Sequence, residues 1–215
     1  MVLILAFATM FIDHLWFMIF TQDEIFRIIW RIAFPLFAWW VVRGYRYTSD
    51  LEKYTFRLFL LWAVTQLPVH FLFWNEFYNV CFTLLAWVLS LVLLDNKNLN
   101  KYFIKYILVW LIVYLTYHFR FDYWWYWILM IILFHYFWDK KIFILYFLIL
   151  TILYYCIDYD NLQFKYHVQL YSVISPILLY FTPITKYDFK LNRYFKYWFY
   201  PIHFVVIYII SLFIN

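Results

Sequence analysis

The sequence predicts an all-α fold: a polytopic integral-membrane helical bundle of about nine transmembrane helices, with its N-terminus on the cytoplasmic side. Three observations predict it. First, of 215 residues 68% are hydrophobic, 29% are aromatic and only 13% are charged, for a mean hydropathy of +0.75. A soluble chain of this length is roughly half apolar and about a quarter charged, and its surface-to-volume ratio leaves no room to hide such an excess. The excess must face lipid, which excludes disordered, fibrous and nucleic-acid-binding classes. Second, the apolar residues fall into nine runs near the roughly 17–25 residues that cross a bilayer. Third, Lys and Arg are shared unequally between alternate breaks in those runs.

The first run covers 2–20. It has no basic leader and no small-residue cleavage site, and it carries Asp13 and His14 inside apolar sequence, so a retained helix is expected rather than a signal peptide. A turn at Thr21–Glu24 leads to the second run, 25–42. The charged break Arg43–Tyr54 precedes the third, 55–74, and Trp74–Phe77 precedes the fourth, 78–94. The fifth to seventh runs, 102–118, 123–138 and 142–157, are separated by His118–Asp122 and Asp139–Lys141. The eighth, 168–182, follows Asp158–His167, and Thr182–Tyr194 leads to the ninth, 195–214. No break is long enough to fold alone, so residues 1–215 read as one transmembrane domain. With nine crossings, Arg27, Arg31, Arg120 and Lys165 fall on one side and the other 13 of 17 basic residues fall on the opposite side. The positive-inside rule makes the basic side cytoplasmic and the protein a multi-pass component of the cell (inner) membrane.

Several chemistries have no material here. Gly44 is the one glycine, so a Gly-rich phosphate loop is impossible. Cys81 and Cys156 are two isolated thiols in apolar runs, and no zinc spacing, HExxH or GxSxG pattern is present, so no metal is expected. The many Tyr and Trp residues have a structural use at headgroup level and as fillers between helices that lack glycine.

An ionisable residue deep in a span costs roughly 2.5–3.5 kcal/mol on insertion scales, so each needs a reason. The first hairpin holds most of them. At 1.5 Å per residue from the outer turn, His14 lies about 12 Å deep and Arg31 roughly 11 Å deep on the neighbouring antiparallel helix. Asp13, His14 and Arg31 therefore share a layer, with Arg27 one turn above Arg31. Gln66, Asn79, Thr83 and His203 add polar groups near it, which suggests a lined cavity. Asp13 and Arg31 fit either a structural ion pair between the first two helices or a working pair. An imidazole such as His14 beside a carboxylate suits proton transfer. His70, His118 and His167 sit near the outer interface and His135 near the cytoplasmic one, where a histidine needs no function. On the cytoplasmic side, Arg43, Arg46, Lys53 and Arg57 follow either from the positive-inside rule alone or from capture of an anionic, phosphate-bearing donor.

The segments Thr9–His14 (TMFIDH), Arg27–Phe37 (RIIWRIAFPLF), Arg43–Thr48 (RGYRYT), Thr65–Pro68 (TQLP), Asn79–Thr83 (NVCFT) and Tyr200–His203 (YPIH) resemble the TraX family in order and spacing. The family pattern usually carries Gly where this chain has Trp30, and again near Ala86 and Trp87. TraX-like proteins are named for a conjugation protein that N-acetylates pilin, and are more distantly similar to multi-pass acyltransferases that use cytoplasmic acyl-CoA. The resemblance implies an acyltransferase moving acetyl from acetyl-CoA, as co-substrate and without a metal, to an amine or hydroxyl of a small peptide, pilin or glycan acceptor outside. Under it His14 is the general base or transient acyl carrier, Asp13 its orienting partner and Arg31 an oxyanion donor. Arg27, Gln66, Asn79, Thr83 and His203 would line the pocket, and Arg43 and Arg46 would hold the donor phosphates. The alternative expectation is a membrane protein without enzymatic activity, such as a transporter or an immunity or partner subunit, although no internal repeat favours a transporter built from repeated halves.

Overall fold

The computed structural model describes residues 1–19, 24–73, 79–119, 124–140, 142–157, 167–187 and 191–214, and among them it is entirely helical. Nine α-helices follow one another: α1 (Val2–Ile19), α2 (Glu24–Tyr47), α3 (Leu51–Phe73), α4 (Val80–Asp95), α5 (Ile104–His118), α6 (Trp124–Phe137), α7 (Phe143–Ile157), α8 (Ile174–Phe181) and α9 (Arg193–Ile214). They coincide with the nine apolar runs, with two differences of substance. Helix α2 continues through the basic break to Tyr47, so Arg43 and Arg46 are helical and the turn shrinks to Thr48–Asp50. The eighth run is split: residues His167–Val173 wind as a 3-10 helix before α8 begins.

Local chemistry sets these ends. Asp50 opens α3 by accepting the Lys53 backbone N–H at 2.9 Å, and the Lys53 ammonium lies 2.7 Å from the same carboxylate. These hydrogen bonds from Lys53 hold the Asp50 carboxyl below its ordinary pKa. Asn79 caps α4, its side-chain oxygen accepting the Cys81 N–H at 3.0 Å. Phe103, between the 3-10 turn Lys97–Tyr102 and α5, takes the left-handed region at φ 55°, a rare choice for a non-glycine residue. Prolines 35, 68 and 201 lie within α2, α3 and α9.

The chain forms two compact units, Met1–Trp40 with Tyr136–Asn215, and Val41–His135. In the first, α1 packs on α9, and α7 packs on the 3-10 segment and α8. Its buried residues include Ala6, Met10, Leu36, Phe143, Phe147 and Ile207. In the second, α4 lies between α3 and α5, and Trp87 and Trp127 are buried with ring centroids 6.2 Å apart. Gly44 also belongs to this unit. The Tyr54 hydroxyl crosses it to donate to the Val41 carbonyl at 3.0 Å, and a Cβ at Gly44 would meet that oxygen at 2.6 Å.

Many large apolar side chains remain exposed along whole helix faces, among them Ile107, Trp110, Leu153, Val205 and Leu212. Among the described residues one helix, Tyr194–Phe213, is long and apolar enough to cross a membrane; α1 and α4 to α7 are apolar and shorter.

Candidate functional site

Helices α1 and α9 meet through a column of rings. Phe7 stacks on Phe199 with centroids 4.3 Å apart and lies edge-on to Phe195. Two turns further along α1, His14 faces His203 and Phe204, one turn beyond Phe199 on α9. Contacts rise together along both helices, so they run parallel. Spacing of seven on α1 and four on α9 keeps each set on one face.

At the top of this column the His14 Nδ1 and His203 Nε2 atoms are 2.9 Å apart, within hydrogen-bonding distance. The other His203 nitrogen, Nδ1, lies 3.3 Å from the Phe199 carbonyl one turn back. A carbonyl can only accept, so His203 Nδ1 carries a proton there and, in the neutral ring, Nε2 is left as an acceptor. His14 Nδ1 then donates to it, and the lone pair of His14 Nε2 is left on the far edge of the imidazole. Two neutral rings satisfy both contacts in this one tautomeric arrangement. His203 is only 2% exposed, gripped by Phe199, Tyr200 and Phe204, while His14 is half-buried. His203 is thus the more deeply enclosed of the two rings.

The other sequence-derived residues are distributed as follows. Asp13 is half-buried beside His14 on α1, about 100° round the helix. Arg31 is buried on α2, and the carbonyl of the next residue, Ile32, accepts from Ser175 of α8 at 2.6 Å. The side chains of Arg27 and Trp30 lie outside the described residues. Gln66, Asn79 and Thr83 belong to the second unit. Asn79 donates to the Trp62 carbonyl at 3.1 Å and to Gln66 Oε1 at 3.0 Å, and the same Gln66 oxygen accepts the Asn79 backbone N–H at 3.0 Å. This knot ties α3 to the start of α4. The Thr83 hydroxyl is buried and has no hydrogen-bond partner among the described residues.

Arg43 and Arg46 ride the last turns of α2. Arg46 reaches the Phe134 carbonyl at 3.5 Å, next to a cluster the sequence reading passed over. Asp95 accepts from Tyr45 at 2.8 Å and lies 3.1 Å from His135 Nε2. His135 therefore has an acidic partner. The available signal was that Asp95 and His135 both fall at the expected cytoplasmic ends of their runs. A second missed group lies in the first unit: Gln169, Ser172 and Ser175, all buried, spaced by three within an apolar run. No cluster of three or more metal-ligating side chains occurs among the described residues.

No curated protein and no solved structure matches the chain. The TraX protein family model, in contrast, matches residues 1–211, nearly the whole length, and the chain belongs to that family.

Proposed function

We propose that this TraX-family chain is a multi-pass enzyme of the cytoplasmic membrane that transfers acetyl from cytoplasmic acetyl-CoA to an amine or hydroxyl reached from the other side, in the setting of conjugation. The observation that carries the reading is the His14–His203 pair. It leaves His14 Nε2 as a lone pair backed by an acceptor, the arrangement a general base needs. His203 takes the part that a carboxylate plays in a hydrolase triad, fixing the tautomer and sharing the positive charge that forms.

In this mechanism His14 Nε2 removes the proton from the acceptor as its nitrogen or oxygen attacks the thioester carbonyl. The tetrahedral intermediate collapses, its C–S bond breaks, and the CoA sulfur takes the proton back from His14. The products are the acetylated acceptor and CoA thiol. Arg31, a buried cation on α2, is assigned to the oxyanion. The membrane setting is supported by the exposed apolar helix faces and by the parallel course of α1 and α9. Nine alternating crossings require the first and last helices to point the same way.

The test is transfer of label from radioactive acetyl-CoA in membranes that contain either the native chain or His14→Ala at matched levels. Label on a peptide or lipid-fraction acceptor only with the native chain supports the reading. Equal label in both samples rejects His14 as base, and failure of the purified protein to bind acetyl-CoA rejects the donor.

A further inference from the structure

The segment from Gln169 to Ser175 is built inside out. Leu170, Tyr171 and Ile174 are exposed, whereas Gln169, Ser172 and Ser175 are 1%, 0% and 0% exposed. The 3-10 winding of His167–Val173 explains the row: with three residues per turn, side chains three apart eclipse, and at about 2.0 Å rise Gln169 and Ser172 stand roughly 6 Å apart on one line. An α-helix would have offset them by about 60° instead of eclipsing them. The row extends to Ser175, which donates to the Ile32 carbonyl beside Arg31. The segment packs along α7, whose buried face includes Thr151 and Tyr154.

Gln169 is the unusual member. Both its amide oxygen and its amide nitrogen are buried, and neither has a hydrogen-bond partner among the described residues. Such a carboxamide is costly to bury, and Leu or Met would fill the same volume without that cost. A primary amide offers one acceptor and donors side by side. The group that matches it in two contacts is another amide, whose N–H meets the Gln oxygen and whose C=O meets the Gln N–H.

We propose that the Gln169–Ser172–Ser175 row is a recognition site for a secondary amide, with the Gln169 carboxamide making a paired contact to it. The site deepens the acyl-transfer reading, because both reactants of that transfer can carry secondary amides: the pantetheine arm of acetyl-CoA has two, and a peptide acceptor has its backbone.

The experiment measures binding, not turnover, on the full chain in lipid nanodiscs. The probes are trialanine amide and acetyl-CoA, titrated into the native protein and Gln169→Met. Loss of two hydrogen bonds corresponds to a roughly ten- to hundredfold rise in Kd. The rise is expected for one probe, with Tm kept or raised, because an unsatisfied amide has been removed. A rise with trialanine amide identifies the acceptor as the source, and a rise with acetyl-CoA identifies the donor arm. Kd values within threefold for both probes, or no binding of either to the native protein, overturn the proposal. Should Gln169→Met not fold, the native protein alone still decides: a trialanine analogue with an ester in place of the central amide must bind about tenfold more weakly, and equal binding refutes the paired contact. Failure of acetyl transfer with the binding difference intact would count against the reaction and leave the site standing.

Discussion

Asn79→Ala gives a sharp test of whether the Asn79–Gln66 pair is a joint between helices or part of a substrate pocket. Asn79 is buried and makes three side-chain hydrogen bonds: it accepts from Cys81 N–H and donates to the Trp62 carbonyl and to Gln66 Oε1. Loss of a helix cap costs about 1 kcal/mol, and each lost donation costs roughly 0.5–1 kcal/mol where the acceptor keeps another donor. Together the first turn of α4 should open more easily by about 2–3 kcal/mol. Cys81 lies in that turn and is buried, while Cys156 is exposed. In a Cys156→Ser background, Cys81 is the single thiol and reacts with N-ethylmaleimide only when the turn opens. Each 1.4 kcal/mol is tenfold, so its labelling rate should rise roughly thirty- to 150-fold in Asn79→Ala. A change below threefold would refute the capping argument. Acetyl transfer lost with no change in labelling would restore Asn79 to the pocket.

Further outcomes follow from the same contacts. His203→Phe keeps the ring stack but removes the acceptor for His14 Nδ1–H, so kcat should fall on the order of a hundredfold with KM little changed, and His203→Gln should recover part of it. Gly44→Ala should push Tyr54 off the Val41 carbonyl and cost about 1–3 kcal/mol in denaturant unfolding, and Tyr54→Leu in the same chain should recover much of that loss. Because the folded pKa of Asp50 is depressed, its contribution is present above the ordinary carboxylate range and is lost as pH falls through the folded value. The small stability difference between the native chain and Asp50→Asn should therefore shrink on acidification.

The nine helices were legible because each apolar run is long and its breaks carry charge. The end of α2 was not, since the run was cut where charge begins, yet Arg is a good helix former and continues α2 past Arg43. The split of the eighth run was not legible, because the spacing by three of Gln169, Ser172 and Ser175 puts them on one face of an α-helix as well as of a 3-10 helix. Depth counting related His14 to Arg31 on the neighbouring helix. It could not pair His14 with His203, because neighbour rules from short loops say nothing about helices 189 residues apart. Asn79 before an apolar run carries the signature of a helix cap, and its side-chain oxygen accepts the Cys81 N–H in that role.

The ring tautomers bear most directly on the central claim. Protein labelled with nitrogen-15 histidine, assigned with single His→Asn variants, reports by NMR which ring nitrogen of His14 and His203 carries hydrogen. The predicted result is Nδ1–H on both rings, with a coupling across the His14 Nδ1–His203 Nε2 hydrogen bond and an unprotonated His14 Nε2. A His14 ring protonated at Nε2, or the absence of that coupling, would contradict the account.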